Sequence, residues 1–80
     1  IPVVEYLYKL EMNDRADLIS KEIINGIIKE YPLESGSESD IQMAYSMLGY
    51  LENLLIEHCT ELKLVQLIND KTDLYRSKAK

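Results

Sequence analysis

The one histidine and the one cysteine of this 80-residue chain stand side by side, His58-Cys59, in a turn that also carries Glu57 and Glu61. Four such residues raise three chemistries: a thiolate–imidazole nucleophile, a zinc site and a carboxylate acid–base pair. The spacing argues against each. Consecutive residues of a helix project about 100° apart, so the imidazole and the thiol do not face one another. A structural zinc needs three or four ligands converging on one point, whereas 57, 58, 59 and 61 fan around the helix. The Glu-x-x-His motif of di-iron bundles needs a glutamate three residues before the histidine, and Leu55 occupies that place. No phosphate-cradling glycine loop and no serine elbow is present. The reading is a packed thiol beside a half-exposed imidazole in a chain that is not an enzyme and holds neither cofactor nor metal.

The other polar features lie in two places. "PLESGSESD", residues 32–39 with Asp40, is an acidic Ser/Gly linker. Ser35-x-x-Glu38 and Ser37-x-x-Asp40 match an acid-directed phosphorylation pattern, but a capped connector is the simpler reading. Ser39-Asp40-Ile41-Gln42 has the form of a capping box opening the next helix. At the far end, "KTDLYRSKAK" supplies Lys71, Arg76, Lys78 and Lys80, with Tyr75 as a possible stacking residue. The alternative function it suggests is a nucleic-acid-associated regulator that uses this basic helix end after dimerising. Overall charge argues the other way. The chain carries −5, which disfavours broad attraction to nucleic acid or an anionic membrane. Charge is also segregated. Residues 30–61 hold seven acids (Glu30, Glu34, Glu38, Asp40, Glu52, Glu57, Glu61) and no Lys or Arg, whereas 63–80 hold five bases (Lys63, Lys71, Arg76, Lys78, Lys80) against Asp70 and Asp73.

Apolar periodicity supplies the elements that would position these groups. Val3, Val4, Leu7 and Leu10 recur at helical spacing behind Pro2, which suits a first turn, and predict a helix over about 2–11. A second runs over about 14–31, with Asn13 or Asp14 as cap, a stripe at Ala16, Ile19, Ile23, Ile27 and Tyr31, and Pro32 as its stop. Gly26 inside it suggests a close approach by another helix. Beyond residue 39, either one long helix follows or a break near Cys59-Thr60, with Thr60 as cap, divides it into about 40–59 and 60–77. Two helices fit a chain this short better. The expected fold is all-α, one domain, a three- or four-helix bundle ending in a long hairpin. No apolar run reaches the length of a membrane span, and a lone cysteine suits a reducing, cytoplasmic setting.

The segment from 40 to 59 poses the functional question. Ile41, Ala44, Leu48, Leu51 and Leu55 form one apolar stripe, and Met43, Met47, Tyr50 and Leu54 form a second. A small domain covers one stripe of a helix with ease; the second asks for a partner. Methionine adapts to varied surfaces and tyrosine is enriched in interface cores. Met43, Met47, Tyr50 and Leu54 are therefore the candidate partner-binding residues. The expected function is a non-catalytic protein–protein interaction module, a small adaptor, chaperone or regulator, acting as a homodimer or on a protein partner.

Overall fold

The computed structural model describes residues 2–34 and 36–79. It contains four helices: α1 Pro2–Lys9, α2 Asn13–Glu30, α3 Glu38–His58 and α4 Leu62–Ala79. Among the described residues there is no strand. The molecule measures 37 × 19 × 15 Å, its long axis set by α3, whose 21 residues span about 31 Å. No helix among the described residues is long and apolar enough to cross a membrane.

α3 is the spine. Its first stripe is wholly inside: Ile41, Ala44, Leu48, Leu51 and Leu55 are all buried. α4 packs antiparallel on it through Leu64, Ile68 and Tyr75 in the most extensive interface of the molecule. Gln42 Nε2 at the start of α3 donates to the Ala79 carbonyl at the end of α4, 2.8 Å away. α1 and α2 form a second hairpin laid against α3, and Tyr75 Oη reaches across to the Tyr31 carbonyl at 2.6 Å, tying α4 to the end of α2. Ser20 and Thr72, the buried hydroxyls, donate to the carbonyls one turn back, of Ala16 and Ile68. Among the described residues no fully buried side-chain N or O lacks a hydrogen-bond partner.

The helix ends depart from the sequence reading in instructive ways. α1 stops at Lys9 because the chain closes a Schellman motif: the Glu11 N–H donates to the Tyr8 carbonyl at 3.0 Å and the Met12 N–H to the Leu7 carbonyl at 2.9 Å. That motif puts Glu11 at φ 61, the left-handed region, where glycine usually stands. Neither Asn13 nor Asp14 caps α2. Met12 occupies the cap position without a side-chain bond, because the tight turn draws Asn13 and Asp14 into the first helical turn. The cap of α3 is Ser37, whose hydroxyl accepts from the Asp40 N–H at 3.3 Å. The helix therefore begins a residue or two before the expected Ser39 box, and one of the two phosphorylation-like patterns is a cap; Ser35, which opens the other, lies outside the described residues. The break before α4 falls where expected, but Glu61 rather than Thr60 caps, its carboxylate accepting from the Lys63 N–H at 3.2 Å. Gly26 meets nothing within 4 Å of where a Cβ would stand, so no helix approaches there. Gly36 is the glycine that packing requires: a Cβ would sit 2.8 Å from the Pro32 carbonyl oxygen and 3.1 Å from Ile41 Cδ1.

Candidate partner-binding surface

The second stripe of α3 divides between core and surface. Leu54 is 6% exposed and belongs to the core, covered by the α1–α2 hairpin; Met47 is half-buried against the same core. Met43 and Tyr50 remain outside at 54% and 57%. The cause is length. α1 is only 8 residues, about 12 Å, and runs alongside the C-terminal half of α3, where Tyr8 stacks on His58 with ring centroids 5.6 Å apart. Towards the N-terminal half, cover comes from the end of α2, where Tyr31 Oη donates to Met43 Sδ at 3.5 Å.

Between α1 and α3 lies an open cleft of about 210 Å³ lined by Glu5, Tyr50, Asn53, Leu54 and Glu57. Its lining mixes apolar and polar side chains, and its two carboxylates stand on opposite helices, a combination absent from the sequence reading because Glu5 reaches α3 only through the fold. α1 and the turn after it add an outward apolar stripe, Val3, Tyr6 and Leu10, each at least half exposed. Val3 and Leu10, two of the four residues whose spacing predicts this helix, stay outside. The core instead takes Val4, Leu7 and Tyr8, a rotation of the helix that the aromatic at 8 makes favourable by covering Asp17 and His58.

The junction around Cys59 is a structural lock. Tyr8 Oη donates to Asp17 Oδ1 at 2.5 Å, and Cys59 Sγ donates to the same oxygen at 3.3 Å. A nucleophile requires the thiolate. Here burial, reinforced by the neighbouring Asp17, pushes the Cys59 thiol up from its ordinary range, against the opposing pull of its backbone bond to Glu61. Burial pushes the Tyr8 phenol up as well. Both therefore act as donors to Asp17, joining the ends of α1 and α3 to the start of α2. His58 faces the Tyr8 ring, and among the described residues no three of His, Cys, Asp or Glu converge to hold a metal.

The basic residues of α4 differ in their surroundings. The Arg76 guanidinium pairs with Asp73 at 2.6 Å, lies 5.9 Å from the Tyr45 ring centroid and donates Nε–H to Tyr45 Oη at 3.3 Å. It is held against the α3–α4 seam, facing the buried Glu52. Lys71 is half-buried, Lys78 is exposed, and Lys80 lies outside the described residues. No protein-family model, curated protein or solved structure matches the chain.

Proposed function

We propose that this protein is a non-catalytic interaction module, a small adaptor, chaperone or regulator that works by presenting the outer face of α3 and the adjoining α1/α3 cleft to a protein partner. One observation carries the reading: Met43 and Tyr50, on the second apolar stripe of α3, stay more than half exposed, as Ile56 does further along, while the first stripe of the helix builds the core. Exposed apolar side chains are ordinary when scattered. Tyr50 borders a cleft that also carries Leu54, Asn53 and two carboxylates, Glu5 and Glu57, so an apolar ring stands within a polar rim, the anatomy of a contact surface. The free thiol of Cys59 fits a reducing compartment, the cytoplasm. The test is capture of partners from the native host by the intact chain, by Met43→Asp and by Tyr50→Asp, with circular dichroism as the check on folding. Loss of the same captured protein in both variants supports the reading. Retention of all captured proteins by both variants, still folded, overturns it.

A further inference from the structure

The cleft and α4 are chemically complementary. Lys71, Leu74 and Lys78 fall at i, i+3 and i+7 of α4 and so share one face; Leu74 is 51% exposed. This stripe has a leucine with an ammonium roughly one turn to either side; Asp70, four residues before Leu74, adds one carboxylate and leaves the stripe a net +1. The cleft has the exposed Tyr50 ring beside the buried Leu54, with Asn53 and two carboxylates, Glu5 and Glu57, around it. The single ion pair among the described residues is Arg76 with Asp73, so none of Lys71, Lys78, Glu5 and Glu57 is matched within the molecule. We infer that the occupant of the cleft is a second copy of this chain: Leu74 of one copy rests on the exposed Tyr50 ring of another, with Lys71 and Lys78 against Glu5 and Glu57.

This inference rests on the interaction-module reading and names its partner. Two copies of charge −5 repel one another in most orientations, and apposing the basic stripe to the acidic cleft is the orientation that charge favours. The contact joins two different surfaces, so it closes by reciprocal exchange or repeats head to tail, and in either case the mass depends on concentration.

The experiment is light scattering across a concentration series at low salt on the wild type, Glu5→Lys/Glu57→Lys and Lys71→Glu/Lys78→Glu. The expected result is association by the wild type, weakened about tenfold or more in each swap and restored when the two swapped chains are mixed, since each then offers the other an opposite charge. Leu74→Asp, at an exposed position, serves as an independent disruption should either double swap fail to fold. A wild type that stays monomeric throughout overturns the inference, as does association indifferent to the swaps or to Leu74→Asp. Binding of a synthetic Lys/Leu amphipathic peptide by a strictly monomeric chain also overturns it, in favour of a foreign basic helix. The interaction-module reading falls separately, only if host partners are retained by Met43→Asp and Tyr50→Asp.

Discussion

α3 meets α4 along one side and the α1–α2 hairpin along the other, and the two seams are built differently. Against α4, the buried positions Leu48, Leu51 and Leu55 face Leu64, Ile68 and Tyr75, none more than 1% exposed, and side-chain bonds from Gln42 and Arg76 cross the seam. On the other side Leu54 is shut in while Tyr50, four residues before it, stands open beside Glu5 and Glu57. Two apolar stripes of one helix therefore have different destinations. A long antiparallel partner exhausts the first. A partner of 8 residues, backed by the end of α2, leaves part of the second uncovered.

The sharpest way to break this comparison is to truncate one residue of each seam. Leu51→Ala removes a fully buried side chain and should cost about 2–5 kcal/mol, which a chain of this size can scarcely tolerate. Tyr50→Asp on the other stripe should change stability by less than about 1 kcal/mol. Urea denaturation followed by circular dichroism measures both. Equal losses would show that Tyr50 is a core residue in solution and that the two seams are alike.

The connection that places α2 over Met43 gives the next effect. Gly36→Ala drives a methyl into the Pro32 carbonyl oxygen and the buried Ile41, and forced overpacking of this kind costs about 1–3 kcal/mol. Amide exchange should quicken first along the end of α2, with the α3–α4 seam slower to follow. A neutral outcome would mean that the 31–37 turn contributes little to the seating of α2. Smaller and of opposite sign are two gains on the α1–α2 hairpin. Glu11→Gly relieves a left-handed glutamate, and Gly26→Ala restores helix propensity where nothing obstructs a Cβ; each should raise stability by about 0.5–1 kcal/mol. A loss on Glu11→Gly, read from the same denaturation curves, would count against the Schellman turn.

The helical class and the first stripe of α3 were legible because each is a repeated local pattern: several residues vote for one period, whereas the sequence left three or four helices open and only favoured the break near Cys59-Thr60. What escaped turned on single residues in tertiary settings. Serines at 35, 37 and 39 each precede an acid or amide by three residues, so the pattern permits several caps, and only the packing of Ile41 against the turn at Gly36 selects Ser37. Glu11 gives no sign of its left-handed backbone, since the residue that normally announces it is glycine. Of the candidate partner-binding residues, Met43 and Tyr50 were separable from Leu54 only once the length and seat of α1 were known. Glu5 entered the cleft for the same reason.

Glu52 shows the tight seam from its one unfavourable side and gives the smallest prediction. It is 9% exposed, on the edge of α3 that faces Arg76 and Asp73. Burial pushes its carboxyl above the usual 4.5, Arg76 pulls it down and Asp73 adds to the rise, leaving it raised. The folded chain therefore holds this proton to higher pH than the unfolded chain does. Where the native state binds more protons, stability falls as pH rises, so from about 4.5 upward the ionising Glu52 subtracts from stability, and the full penalty is present once both states are ionised. Glu52→Gln keeps the shape and removes the ionisation. It should raise the melting temperature at neutral pH by the equivalent of less than about 1 kcal/mol, give no gain well below 4.5, and flatten the fall between those limits. A variant less stable than the wild type at neutral pH would mean that the attraction of Glu52 to Arg76 outweighs its desolvation, and the α3–α4 seam would then owe part of its strength to charge as well as to close packing.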